Sequence, residues 1–332
     1  MPDLPTRRVR LLTTGGTIAS TPDEATGAMR AATSGKELVA AVPALADLAR
    51  VDVEEVALVN SWDVDLTLMA DLARRVEAAA DLADGVVITH GTDTLEETAF
   101  ALDLLADCEL PVVLTGAMRG GGGPDSDGPG NLIAAVRVAA SDAAQGLRCV
   151  VLGDELHAAR WVHKTHSTAL DTFASPGVGP MGTVDDAGVL LRWRPQRRDP
   201  LRAADGGVPA SAEPVALVWS AAGLPPRALQ ACAEGARGVV IAGSGAGNVP
   251  GTWLPVIRAL VRGGLPVVLA SRCEGGRVVP TYGGDGGGRT LVDAGVLPAG
   301  DLSAVKARVA LAFALGAGLD MDQIRGLLDP TG

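Results

Sequence analysis

The sequence predicts an α/β chain of two domains, a larger N-terminal one on a doubly wound, mostly parallel sheet and a smaller C-terminal one. Three observations carry this. Short runs rich in Val, Ile and Leu alternate with Ala- and Leu-rich amphipathic stretches, the rhythm of βαβ units whose sheet is covered on both faces. The 332 residues exceed what one apolar core ordinarily serves. The rhythm breaks between Arg192 and Pro214, where Pro195, Pro200, Pro209 and Pro214 alternate with Arg, Asp and Gly. The expected division is residues 1–192, a linker at 193–214, and residues 215–332.

In the first part, Val9–Leu12, Val51–Val59, Gly85–Thr89, Pro111–Leu114 and Cys149–Leu152 read as strands, being apolar and mostly too short for helices. Between them Lys36–Val42, Leu66–Leu82, Leu95–Leu105 and Asn131–Ala140 carry helical spacing. After the break, strands are expected at Val215–Trp219, Gly238–Ala242 and Pro266–Ala270. Helices are expected at Arg227–Gly235, Leu254–Gly263, Leu302–Gly316 and Asp322–Leu328. Gly120–Gly123 and Gly283–Gly288 supply loops able to take positive φ. The arginines of the break (Arg192, Arg194, Arg197, Arg198, Arg202) read as a solvated linker rather than an anion-binding patch.

The net charge of −11, with scattered basic residues, argues against a nucleic-acid partner. The longest apolar stretch, Val309–Leu319, falls short of the roughly 20 residues a bilayer span needs, so no membrane partner is expected. Met1–Arg10 is charged and runs directly into Thr13–Thr17, leaving no removable apolar segment; a cytoplasmic location is expected. The four cysteines, Cys108, Cys149, Cys232 and Cys273, stand far apart and suggest buried thiols, neither a zinc site nor a disulfide framework. His157, His163 and His166 cluster without the spacing of a zinc enzyme, so neither metal nor other cofactor is expected.

Two turns hold the chemistry. Thr14-Gly-Gly-Thr17 and His90-Gly-Thr-Asp-Thr94 each follow a strand, at the end of the sheet where open α/β folds keep their ligand crevice. Gly15 and Gly16 let the backbone turn sharply and approach a ligand, leaving Thr17 at the mouth. The first turn fits neither a P-loop nor a dinucleotide fingerprint, and Gly243–Asn248 resembles a dinucleotide loop only loosely, offering Asn248 as a polar group. In the second turn, Thr94 and Glu97 are spaced as a capping box, and Glu96 suits the positive first turn of the helix. Thr92 and Asp93 are left over, just ahead of a helix N-terminus where ligands bind. Lys164, in a polar stretch after the Cys149–Leu152 strand, serves as a base only if burial offsets the pull of a carboxylate such as Asp93.

Over essentially its whole length the chain resembles the bacterial L-asparaginase/glutaminase family of amidohydrolases. The resemblance rests on Leu12–Ala19, Gly85–Leu95, Leu114–Arg119, Ser126-Asp127-Gly128 with Asn131, Lys164-Thr165 and Gly245–Asn248. It implies a two-step acyl transfer in which Thr17 attacks the side-chain amide of L-asparagine, ammonia leaves, and water hydrolyses the ester. Thr92, Asp93 and Lys164 would form the supporting triad, with Lys164 handling protons and Asp93 orienting it and binding the substrate amino group. Gly16 belongs to the nucleophile turn, Ser61 and Gly91 would hold the α-carboxylate, and the Ala117 carbonyl would face the leaving amide. Asn248 would reach a neighbouring subunit's site, implying a homodimer or homotetramer.

Three departures from the family's pattern stand out. Residues 18–37 hold no tyrosine, so Tyr282, the chain's only one, is expected to supply the missing phenol. Trp62 follows Ser61 where many members have glutamine, and Pro280–Gly286 lacks the glutamate that secreted members offer. Weaker substrate binding or a shifted amide preference is expected from both. The competing readings are a broader glutaminase-asparaginase, an ammonia-supplying amidotransferase subunit and an inactive amino-acid sensor. Thr17 lies too close to Met1 for the extra N-terminal domain of such subunits, and retention of Thr17, Thr92, Asp93 and Lys164 argues against a sensor.

Overall fold

The computed structural model describes residues 6–22, 29–31, 33–120 and 125–328. It divides into two compact units, Met1–Pro200 and Leu201–Gly332. Among the described residues of the first unit, eight strands form one sheet. In chain order they are β1 (Arg8–Gly15), β2 (Arg50–Val59), β3 (Gly85–Thr89), β4 (Val112–Thr115), β5 (Arg148–Leu152), β6 (Glu155–Ala158), β7 (Gly182–Asp185) and β8 (Gly188–Leu191). Five of them run parallel in the spatial order β2-β1-β3-β4-β5. Strands β3, β4 and β5 are buried at every position, which is why they read as continuous apolar runs rather than alternating ones.

The remaining strands, β6, β7 and β8, add an antiparallel edge that the sequence reading passed over. Each has four residues, and β6 begins the stretch expected to be merely polar. Gly153 and Asp154, both at positive φ, make a two-residue hairpin from β5 to β6. The helix at Leu66–Ala78 buries Leu66, Met69, Ala70, Leu72, Ala73 and Val76, the spacing of one helix face, and the Asp65 carboxylate accepts from the Leu68 N–H at 2.8 Å at its start.

The second unit contains a four-stranded sheet, all parallel and in sequential order: β9 (Val215–Trp219), β10 (Gly238–Gly243), β11 (Val267–Ser271) and β12 (Leu297–Ser303). Strand β12 was not expected from the sequence; Ser303 ends it and caps the following helix, Ala304–Gly316, which therefore starts two residues later than the sequence pattern suggested. The Trp253 indole, fully buried, donates to the Leu224 carbonyl at 2.9 Å in this unit's core.

The Pro-rich stretch 193–214 is shared between the units. On the first, the Trp193 indole donates to the Pro180 carbonyl at 3.0 Å, Arg194 donates to the Gln145 and Ala143 carbonyls, and Arg197 to the Cys108 carbonyl. These two arginines act as ties rather than solvated charges. On the second, the Ala212 N–H donates to the Ala312 carbonyl at 2.9 Å, and Arg308 pairs with Glu213.

Candidate active site

The strand order reverses at β1, whose neighbours β2 and β3 follow it on opposite sides. In a doubly wound sheet that reversal opens a crevice at the carboxyl ends of the strands, and both threonine turns emerge there.

Glycine chemistry shapes the first turn. Gly15 has φ +101° and lies so close to β2 that a Cβ on it would stand 2.5 Å from the Val59 carbonyl oxygen. Gly16 has φ +83° and ψ −176°, a conformation only glycine holds cheaply, and its N–H donates to the Val59 carbonyl at 3.2 Å. The register between β1 and β2 shifts between Thr13 and Gly15, and the buried Thr14 hydroxyl donates to the Thr89 carbonyl at 3.0 Å, joining the ends of β1 and β3. The Gly16 carbonyl then accepts from the Ala19 N–H and the Ser20 hydroxyl, fixing the short turn Thr17–Ala19. Thr17 is half-buried, with Gly120 pressed against its carbonyl and methyl group; residues 121–124 of the expected glycine loop lie outside the described residues.

Gly16 packs directly on Gly91, where a Cβ would overlap the Gly91 nitrogen and Cα. Gly91 in turn lies against Ser61, with room for no side chain: a Cβ would stand 2.6 Å from the Ser61 hydroxyl. Thr17 and Thr92, the residues following these two glycines, therefore leave from adjacent points of the crevice. His90 stabilises the second turn from beneath. Its Nδ1 lies 2.7 Å from the Gly91 carbonyl and its Nε2 2.9 Å from the Thr98 hydroxyl, an arrangement that suits the neutral ring with Nδ1–H donating. Complete burial pushes its pKa down to about 4.

The expected capping box does not form. Thr94 stands at the helix N-cap but makes no side-chain cap bond; its hydroxyl donates instead to the Ser61 carbonyl at 2.6 Å. The Asp93 N–H reaches the Ser61 hydroxyl at 3.2 Å. Turned to donate to a tertiary carbonyl, the hydroxyl does not accept the helix's own N–H, and the result ties Ser61 to the Thr92-Asp93 turn.

Lys164 closes the arrangement. It sits on a two-residue strand, His163–Lys164, paired with Phe173–Ala174. Its Nζ donates to Thr92 Oγ1 at 2.8 Å and to Asp93 Oδ1 at 2.6 Å, the latter a charge-assisted bond. The side chain of Thr92 is buried and that of Lys164 largely covered, whereas that of Asp93 is half exposed. The Ala117 loop is held from below: the Asp127 carboxylate accepts from the N–H groups of Met118 and Arg119, and Asn131 bridges the Gly116 carbonyl and the Gly153 N–H.

Thr92, Asp93 and Lys164 thus stand in one hydrogen-bonded group, with Gly16, Gly91 and Ser61 in contact beside it. Trp62 is exposed on the turn after Ser61. In the second unit, Asn248 accepts the Gly288 N–H with its side-chain oxygen at 3.1 Å, and Tyr282 is 63 % exposed, its carbonyl accepting from Arg289. Among the described residues no three His, Cys, Asp or Glu converge as a metal centre. His157 contacts Ser175 and Glu155, His163 contacts Glu96, and His166 Nδ1 accepts from Thr168 and Ala169. The His163–Glu96 contact was missed in the sequence, where nothing places the two residues together.

Thr92, Asp93 and Lys164 in one hydrogen-bonded group, on a turn packed against the turn of Thr17 at the switch point of a doubly wound sheet, have the make-up of an enzyme site. The asparaginase N-terminal domain matches residues 8–197, and the glutaminase/asparaginase C-terminal domain matches residues 214–328. The chain is 41% identical to a probable L-asparaginase of Deinococcus radiodurans over 96% of each chain. It is 38% identical to one of the subunits of the glutamyl-tRNA(Gln) amidotransferase of Halobacterium salinarum, covering 94% of this chain and 76% of that one. The crystal structure of a probable cytoplasmic L-asparaginase from Campylobacter jejuni superposes with a TM-score of 0.84 at 33% identity, over 97% of this chain and 99% of that one. The chain belongs to the asparaginase family of amide hydrolases.

Proposed function

We propose that the protein hydrolyses L-asparagine to L-aspartate and ammonia through an ester on Thr17. The carrying observation is Lys164 Nζ between Thr92 Oγ1 and Asp93 Oδ1, on a turn that packs through Gly91 onto the turn holding Thr17. An unaided threonine hydroxyl is a poor nucleophile at neutral pH, and a positioned proton acceptor typically contributes about 10² to 10⁴ in rate. The Thr17 oxygen attacks the amide carbon, and its proton passes through the Thr92 and Lys164 group to the amide nitrogen, which departs as ammonia. Water then cleaves the ester, returning a proton to Thr17. The Thr92 N–H, at the mouth of a helix N-terminus, meets the oxyanion. The exposed face of Asp93 binds the substrate amino group, Ser61 and Gly91 the α-carboxylate, and the Ala117 carbonyl the amide.

Two measurements test this. Ammonia release from L-asparagine by the purified protein falls at least 10³-fold in Thr17→Ala and in Lys164→Met while both remain folded, the scale on which nucleophile and base losses are felt. Wild-type turnover in Thr17→Ala overturns the reading. The similarity to an amidotransferase component raises an ammonia-supplying role, which predicts turnover that depends on tRNA. L-glutamine and D-asparagine assayed alongside separate a narrow asparaginase from a broader glutaminase-asparaginase. Within the same reading, Asn248 and Tyr282 serve a neighbouring copy's site in a cytoplasmic homodimer or homotetramer, and Tyr282 supplies the phenol; unchanged kcat in Tyr282→Phe removes it from the mechanism.

A further inference from the structure

We propose that His163 and Glu96 are positioning residues that hold Lys164 at its working height between Thr92 and Asp93. The inference rests on the role given to Lys164 above.

Lys164 is carried by a strand of two residues, and a long flexible side chain on so short a support loses its aim if the support shifts. The turn closing this hairpin is ordered by its own bonds: the Thr165 N–H and hydroxyl donate to the Thr172 carbonyl, and the Thr172 hydroxyl to the His166 carbonyl. Those bonds shape the hairpin but do not dock it on the turn it serves. Two contacts do. One is Lys164 itself on Thr92 and Asp93. The other comes from the adjacent residue: His163 Nδ1 lies 2.7 Å from Glu96 Oε2, three residues beyond Asp93 on the first turn of the helix that begins there.

Both side chains of this second rung are largely buried, 15% and 14% exposed, so water screens the pair weakly. The contact is at ion-pair distance but off the line of a hydrogen bond, Oε2 having no aligned donor. The contact fixes the separation of ring and carboxylate more than their relative direction. Glu96 also lies in the first turn of the helix, where the positive end of the dipole favours an acidic side chain. A ring that slips from Glu96 carries the 163–164 backbone with it, and Nζ leaves one of its two acceptors. Substrate contacts on Ser61, Gly91 and Ala117 are untouched by such a slip, so the loss falls on turnover rather than binding.

The test is steady-state ammonia release by Glu96→Gln, His163→Ala, the double variant and His163→Asn, with urea unfolding of each and Lys164→Met as control. Glu96→Gln keeps size and removes only charge. Expected are kcat values about tenfold down in both single variants, the scale of a displaced catalytic group, with KM within twofold of wild type. The double variant is no worse than either single one, and His163→Asn, which cannot restore a hydrogen bond that the native pair does not make, stays as slow as His163→Ala. Single-variant kcat values within twofold of wild type, losses that multiply in the double variant, or losses that track unfolding overturn the proposal. An inactive Lys164→Met beside fully active Glu96→Gln and His163→Ala refutes the positioning role alone; an active Lys164→Met refutes the role of Lys164 and this inference with it.

Discussion

Gly16→Ala probes the contact on which the site's geometry depends. The residue holds φ +83° and ψ −176°, which costs a side-chain-bearing residue about 1–3 kcal/mol. The new Cβ would also stand 2.9 Å from the His90 carbonyl carbon and nearer still to the Gly91 nitrogen and Cα. Carbon atoms rest at about 3.5–4.0 Å, so the two turns must part by roughly 1 Å, with a further overpacking cost of about 1–3 kcal/mol. No side-chain rotation relieves this, because the obstacle is backbone. Displacement of a reacting group by about 1 Å costs on the order of 10² in rate. Gly188→Ala is the matched control: φ is +126° but nothing lies within 4 Å, so it carries conformational strain without overlap, on a distant hairpin. Urea unfolding and ammonia release of both variants separate the terms. The expected result is a Gly16→Ala enzyme at least 100-fold slower and measurably less stable than Gly188→Ala, which keeps its turnover. Equal kcat/KM in the two variants would refute the idea that backbone contact between the turns sets the nucleophile's position.

Two more perturbations read the second turn. Thr94→Val removes the 2.6 Å bond to the Ser61 carbonyl while keeping shape, costing about 1 kcal/mol and, if Ser61 binds substrate, raising KM several-fold with kcat little changed; a wild-type KM argues against that binding role. His90 is held at a pKa of about 4 against 6.5 for the free side chain, so the unfolded chain binds the proton more readily between those values. Its contribution to stability is complete above about pH 6.5 and is lost as pH falls toward 4, a change of about 3 kcal/mol. Unfolding free energies at pH 7 and pH 4 check this, and a His90→Gln protein with the same acid loss as wild type excludes His90 as the source.

The fold was legible where strands are buried on both faces. Gly85–Thr89 matches its expected bounds and Gly238–Gly243 runs one residue past its own, because every residue is apolar or small and the flanks are turn-formers. The antiparallel edge was not legible by the same signal, since β6, β7 and β8 are only four residues each and β7 and β8 are partly exposed, although Gly153-Asp154 was an available hairpin cue. The capping box at Thr94 failed while one at Ser34 and Glu37, equally visible as Ser-x-x-Glu, forms in full. The difference is a competing acceptor: Ser34 has only its own helix to serve, whereas Thr94 meets the Ser61 carbonyl. Local rules hold until tertiary structure offers a better partner, and functional turns are where it does.

The same logic explains why the chemistry gathers in the first unit. In the β2-β1-β3 arrangement the chain leaves β1 in one direction and returns on the other side, so the loops after β1 and β3 diverge above a gap that no crossover fills. Gly16 after β1 and Gly91 after β3 close that gap to backbone contact, so Thr17 and Thr92 follow from adjacent points of the backbone. The sequential order β9-β10-β11-β12 of the second unit has no reversal and hence no crevice of this origin. Its Asn248 side chain is already engaged by the Gly288 N–H, so any ligand it meets sees chiefly the amide nitrogen, a donor. A donor presented by a rigid loop suits a supporting contact to a substrate carboxylate or carbonyl, not a nucleophile or a base. On the proposed function, the catalytic groups fall on the unit whose strand order reverses.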